Sequence, residues 1–228
     1  MENLIKSEAI VLRGQDLGES HLIVTLLTVD QGKFKAVARG AKRSKKRFQN
    51  ALEPFTHGQA IVRPSRTDSM AGLEAMAPKE TFSQIRRDIL KFTLASLACE
   101  LLDLWLRENS PEARAFSLLL WFLHSLEQTK EPFLFTLLFK TRLLSIVGYG
   151  PDWGRIEATK LRVSQGTIKS LAFIQETPLD RIDRLRLSKR YMREAWALIK
   201  SLHIKYLEKE PRSYNVLRQM AQGGIVVH

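Results

Sequence analysis

The sequence predicts an α+β multidomain protein: an N-terminal OB-type β-barrel over residues 1–80 and a mostly α-helical domain over residues 81–228. Short apolar, β-branched runs separated by glycine turns fill the first part, as in small closed barrels. After Thr81 the apolar residues recur three and four apart, the spacing of helices. Between Gln31 and Thr56 an alternating strand runs into a cationic loop, which makes the barrel the place to look for function.

Glu8 to Arg13 (EAIVLR) is the first strand candidate, and Gly14 to Ser20 (GQDLGES) reads as a turn-rich connection. His21 to Val29 is apolar and β-branched enough for a buried strand, and Asp30-Gln31-Gly32 turns it back as a hairpin into Lys33 to Arg39. In that strand Phe34, Ala36 and Ala38 face one side and Lys33, Lys35 and Val37 the other. Gly58 to Pro64 and Leu73 to Ala77 complete a set of five strands, a number that closes into a barrel and removes sheet edges.

The helical part begins with Ile85, Ile89, Phe92 and Leu97, continues through Leu101, Leu104 and Trp105, and resumes at Phe116, Leu119, Leu120 and Leu123. Ser110-Pro111-Glu112-Ala113 has the form of an N-cap with proline in the first turn, and Pro132 opens a helix from Phe133 to Val147. Apolar residues on more than one face predict a packed bundle whose aromatics are core. Residues 148–180 are poorly patterned and rich in turns. Met192, Ala195, Ile199, Leu202 and Tyr206 form one stripe of a long final helix starting near Pro178, and Gly223 to His228 reads as a frayed tail.

Charge narrows the function. The net charge of +12 favours a polyanionic partner, nucleic acid before an anionic membrane surface. From Gln31 to Leu52 there is no acidic residue, and Lys33, Lys35, Arg39, Lys42, Arg43, Lys45, Lys46 and Arg47 place eight cations in fifteen positions. Lysines and arginines that track phosphates beside a ring that stacks on a base suit a single-stranded nucleic acid. Phe48 is the ring here, with a second reading as a plug for the barrel end. Arg181, Arg184, Arg186, Lys189, Arg190 and Arg193 form a second cluster, read either as another polyanion surface or as a solvated helix face.

Catalytic signatures are missing from the sequence. It has no GxxxxGK[ST] loop, no GxSxG elbow and no HExxH helix. His21, His57, His124 and His203 stand without ligand-spaced neighbours, and neighbouring Ser20 and His21 would point to opposite faces of a strand. A single cysteine, Cys99, excludes an intrachain disulfide and a cysteine zinc site and fits a reduced cytosolic protein. No secretory pattern and no run of about 20 apolar residues is seen. The expectation is a cytoplasmic binding protein without metal or cofactor, not an enzyme. An RNA-binding or ribosome-associated factor and a pure protein scaffold are the other classes open.

The stretch EAIVLRGQDLGESHLIVTLLTVDQGKFKAVARGAKRSKKRFQNALEPFT resembles the N-terminal signature of the RecO family of bacterial recombination mediators. Gly18-Glu19-Ser20, Gly32, Gly40-Ala41-Lys42-Arg43-Ser44 and Leu52-Glu53-Pro54-Phe55 occur together at the family's spacing. More loosely, KTRLLSIVGYGPDW and EPRSYNVL are similar to later family segments. The resemblance implies an OB-fold followed by a helical domain, binding of single- and double-stranded DNA, and annealing of complementary strands. It also implies work with RecR to load RecA onto strands coated by single-strand-binding protein (SSB), contact with the acidic SSB C-terminal tail, and a location at the bacterial nucleoid. Cations such as Arg142 or Arg114 are candidates for holding such a tail. Many relatives carry a four-cysteine zinc module after the Gly-Tyr-x-Pro turn. Here Asp152 to Gly166 has no cysteine, so the region at about 148–170 is expected to be held by packing alone or reduced.

Overall fold

A computed structural model describes residues 4–44, 47–48, 51–65, 70–155 and 163–224, with the side chains of Asp183 and Arg184 excepted. The chain divides into two compact units, Met1–Glu127 and Gln128–His228.

In the first unit β1 (Ile5–Leu17), β2 (His21–Thr28), β3 (Gly32–Ala38), β4 (His57–Arg63) and β5 (Ala71–Glu80) close a barrel in the order β1-β2-β3-β5-β4. All pairings are antiparallel except β3 with β5, where Ala36 and Val37 face Ala71 and Gly72. A register shift between Val11 and Arg13 lets β1 bend, so its first half pairs with β4 and its second with β2. The five strands lie where the patterning predicts them. The GQDLGES segment differs: β1 continues through Gly14, Gln15 and Asp16, paired with Val24, Ile23 and Leu22, and only residues 18–20 turn. That extension is exposed along its length, so its polar composition imitates a loop.

The barrel interior is filled by Val11, Val24, Leu26, Phe34, Val62, Leu73 and Met76, with Ala36 and Ala60 where two large side chains would collide. On its rim His57 is nearly buried, Nδ1 2.8 Å from Glu80 and Nε2 2.9 Å from Glu8. This histidine ties β1, β4 and β5 together.

Three helices follow in the same unit: α1 (Ser83–Arg87), α2 (Ile89–Trp105) and α3 (Ala113–Gln128). Asp88 caps α2 by accepting from the N–H groups of Leu90 and Lys91. At α3 the helix begins at Ala113, and the Glu112 carboxylate accepts from the Arg114 N–H at 3.3 Å, so the cap lies two residues beyond the expected Ser110. Arg86 reaches Glu53 at 2.7 Å, the Pro54 carbonyl at 2.6 Å and the Thr56 hydroxyl at 3.1 Å. Phe55, held at a φ of 71°, meets Phe92 edge-on at 5.1 Å. Asp103 near the end of α2 pairs with Arg13 at 2.8 Å and with Lys33 at 3.1 Å, and Lys33 also donates to the Asp103 carbonyl. The α2–α3 connection lies along β3: the Asn109 N–H donates to the Lys33 carbonyl at 2.7 Å. A Cβ on Gly32 would come within 2.2 Å of the Ser110 carbonyl oxygen, so this approach needs glycine.

In the second unit α4 (Pro132–Ile146), α5 (Gln165–Glu176) and α6 (Lys189–Leu207) pack on one another, and α7 (Ser213–Gln222) follows. Pro132 opens α4 as its sequence predicts. The final long helix instead starts at Lys189, capped by Ser188, because residues Leu179–Arg184 form a separate 3-10 turn. Helix α5 lies inside the stretch read as turns. Its cap, Ser164, and Thr167 both donate to the Glu194 carboxylate of α6, at 2.7 and 2.6 Å, so it is stabilised by a distant partner that local patterning does not reveal. Those bonds, with Arg190, hold the Glu194 carboxyl far below its ordinary range. In the cysteine-free region the buried Trp153 donates through Nε1 to Gln175 at 2.8 Å, and Gln175 donates to the Pro151 carbonyl at 3.2 Å.

The stripe of α6 that is buried is Ala195, Leu198, Ile199 and His203, while Tyr206 lies outside against Tyr149. Lys140 on α4 is fully buried, its Nζ 4.0 Å from the Trp196 ring centre and 5.1 Å from that of Tyr214. Burial, and secondarily Lys200, pushes its amine well below the ordinary lysine range. His203 Nε2–H donates to the Lys140 carbonyl at 3.0 Å, and burial with the Lys140 charge pushes its imidazole down to about 3.

Two outcomes are expected. Asp103→Ala leaves Lys33 buried without its counter-charge and lowers unfolding free energy by about 3 kcal/mol in urea titration, most of it restored by adding Lys33→Met. A loss below about 1 kcal/mol contradicts the role given to the pair. His203 stays neutral in the folded chain down to about 3, whereas the unfolded chain takes up its proton below the ordinary histidine value. Its contribution to stability is therefore lost as pH falls from about 6.5 toward 3, at up to about 1.4 kcal/mol per unit. His203→Gln should flatten the stability difference between pH 7 and pH 5 by about 1–2 kcal/mol.

Candidate nucleic-acid interface

Strand β3 is built on a period of two, and the structure keeps it: Phe34, Ala36 and Ala38 point into the barrel core. The outward set divides in an unexpected way. Lys33, only 5% exposed, is enclosed by its bonds to Asp103. Lys35 is half-buried and pairs with Glu108 at 2.6 Å. Both were expected to face nucleic acid. Lys33 instead fastens the α2–α3 segment to the barrel, because a cation under a helix end can be buried only against an acid.

Beyond Ala38 the chain leaves the sheet. Arg39 is exposed, and Gly40 turns the backbone in the left-handed region at φ 68° while its N–H donates to His21 Nδ1 at 2.8 Å. A single 3-10 turn, Ala41–Arg43, presents Lys42 and Arg43 to solvent. Lys42 is 3.0 Å from Asp16 and its backbone N–H bonds the Ser20 carbonyl, so the β1–β2 hairpin tip braces the loop. With one partner largely exposed, that ion pair contributes little and yields readily to a phosphate. Arg47 donates to the Arg39 carbonyl at 2.7 Å and lies 5.2 Å from the Phe48 ring centre. Among the described residues the loop thus carries four exposed cations, Arg39, Lys42, Arg43 and Arg47, at one end of the barrel. Lys45 and Lys46 lie outside the described residues.

Phe48 is corrected. It is 2% exposed and packs with Ala51 and Leu52 in the barrel core, so it plugs the barrel and offers no face to a base. Burying the ring stabilises the barrel by about 1.5–3 kcal/mol whether or not nucleic acid is bound. The bracing by His21 escaped sequence reading because its partner is 19 residues away.

In the second unit Arg181, Arg186, Lys189, Arg190 and Arg193 are exposed, and the Arg184 side chain lies outside the described residues. Lys189, Arg190 and Arg193 occupy the first two turns of α6, where the helix dipole adds positive potential. Arg190 is engaged by Glu194 at 2.8 Å. The two candidate tail-holding arginines also differ. Arg114 is paired with Glu112 at 2.9 Å, whereas Arg142 has Nε and Nη2 buried without a hydrogen-bond partner among the described residues. No group of three metal-ligating side chains occurs among the described residues, and no helix among them is long and apolar enough to cross a membrane.

Comparison with known proteins agrees with the architecture. Residues 1–82 match the family model described as Recombination protein O N terminal, and residues 86–160 match Recombination protein O C terminal. A DNA repair protein RecO from Syntrophus aciditrophicus is 29% identical over 252 aligned positions, covering 96% of this chain and 97% of that protein. DNA repair proteins RecO from Bacillus pumilus and Geobacter metallireducens are 36% and 39% identical over 65% and 63% of this chain, which spans 57% and 58% of their lengths. With both family models matched in order and the closed N-terminal barrel in place, this chain belongs to the RecO family.

Proposed function

We propose that the protein is a non-catalytic recombination mediator that grips unpaired DNA on the cationic loop of its barrel and brings complementary strands together. The observation that carries this reading is the exposure of Arg39, Lys42, Arg43 and Arg47 on one braced loop of a RecO-family barrel. These cations neutralise phosphates and release counterions, and they lower the repulsion between two strands meeting at the same site. Base pairing then proceeds without a catalytic group. Duplex DNA is held through the same phosphate contacts, and Arg181, Arg186, Lys189 and Arg193 offer a second surface for it.

In this reading the protein works with the chromosome in the cytoplasm. RecR is its partner in loading RecA, and the acidic SSB C-terminal tail docks on the second unit beside cations such as Arg142.

Two measurements test the reading. Affinity for single-stranded DNA should fall with salt at a log–log slope of roughly −3 to −4, the value for four to six cations. Lys42→Glu with Arg43→Glu should reduce that slope and weaken binding at least about tenfold, whereas Phe48→Leu should change affinity by less than about twofold. Fluorescence-detected annealing of SSB-coated complementary oligonucleotides should be accelerated by the wild type and not by the charge reversal. A flat salt response, equal binding of RNA and DNA without annealing, or wild-type annealing by the charge reversal contradicts the reading.

A further inference from the structure

Strand β5 joins β3 only from Ala36 onward, so the earlier part of β3 borders a gap in the barrel wall. The gap is a cleft of about 490 Å³ on the first unit. Its inner part is apolar, formed by the buried Phe34 and Val62, and the exposed Met70 stands beside it. Its polar lining includes Lys35, Glu108 and Asn109. The arrangement is fixed by the main chain: Asn109, in the left-handed region at φ 57°, bonds the Lys33 carbonyl, and Glu108 is bridged to β3. This arrangement brings carboxylate and ammonium together at the mouth of the cleft, Lys35 Nζ 2.6 Å from Glu108 Oε1, with both side chains partly exposed to an incoming group.

A flat heteroaromatic group suits this cleft, because it can rest on the apolar floor of Phe34 and Val62 beside Met70 and turn its edge to the ion pair. The edge must present two adjacent donors to the carboxylate and, next to them, an acceptor to the ammonium. Guanine does so with N1–H, the 2-amino group and O6. Adenine and cytosine each place an acceptor beside a single amino group, and thymine flanks its one N–H with two acceptors. A phosphate is repelled by Glu108, and an aliphatic side chain leaves the ion pair unanswered.

We propose that this cleft takes one unpaired guanine base. The source of the base, a strand already held on the cationic loop, rests on the strand-binding reading above. Lys35 lies four residues before Arg39, about 13 Å along a strand, so a chain gripped by the loop can reach it. The cleft adds a base-reading contact to a grip that otherwise senses only phosphates.

Nucleosides, which carry no phosphate for the loop, separate the two ideas. In equilibrium dialysis with the full chain, deoxyguanosine should be retained at least about tenfold better than deoxyinosine, which lacks the 2-amino group, and than deoxyadenosine. Glu108→Gln should abolish the preference, and Lys42→Glu with Arg43→Glu should preserve it. A thymine tract with one central guanine should bind more tightly than the same tract with hypoxanthine there. Equal retention of the three nucleosides, or a preference that survives Glu108→Gln, overturns the proposal. If the tract binds but guanine is not preferred, the cleft inference fails alone. If the tract does not bind while deoxyguanosine is still preferred, the strand-binding reading fails and the cleft stands as a guanine site.

Discussion

A buried ion pair sets the layout of the first unit. Lys33 and Asp103 lie between β3 and the end of α2, with side chains 7% and 20% exposed, and the buried lysine charge is not tolerable there without the carboxylate, which Arg13 also engages. Once they meet, the α2–α3 connection lies along β3, where the Asn109 N–H takes the Lys33 carbonyl. Where β5 leaves the edge of β3 uncovered, this connection meets it at Lys33 and leaves the wall open beside Lys35. The same contact dictates glycine at position 32, opposite the Ser110 carbonyl. Packing of Phe55 on Phe92 and the Arg86 clip hold the other end of the helical layer to the barrel.

That docking divides the cations into two populations. Those at the start of β3 are engaged by acids, and of them the buried Lys33 holds the fold together. Arg39, Lys42, Arg43 and Arg47 project from a loop whose ends are anchored, by His21 and the β1–β2 hairpin on one side and by the Phe48 plug on the other. A braced loop presents its charges with little ordering cost on binding, which favours an electrostatic grip that is firm yet indifferent to sequence. The Lys35–Glu108 pair stands at the boundary between the populations, and there the barrel wall opens into the cleft.

Much of the barrel was legible in the sequence because its signals are local. Alternation in Lys33 to Ala38, the Asp30-Gln31-Gly32 turn and the β-branched run from His21 place strands without reference to distant residues. The family resemblance also rests on this part. What escaped depends on contacts across the chain. Gly14 to Leu17 is strand only because β2 pairs with it, and α5 owes its cap to Glu194 on α6. The fate of Lys33 and Phe48 was hidden for the same reason: charge and aromaticity are visible in a sequence, but the acid that buries one and the core that takes the other are not.

The claim that the loop cations grip DNA while Lys33 serves the fold is tested most directly by lysine acylation footprinting, read by mass spectrometry with and without single-stranded DNA. Lys42 should react readily in the free protein and become protected on binding, as should any reactivity at Lys45 and Lys46, whereas Lys33 should stay unreactive in both states. Unchanged reactivity of Lys42, Lys45 and Lys46 under saturating DNA, or ready modification of Lys33 in the free protein, would contradict it.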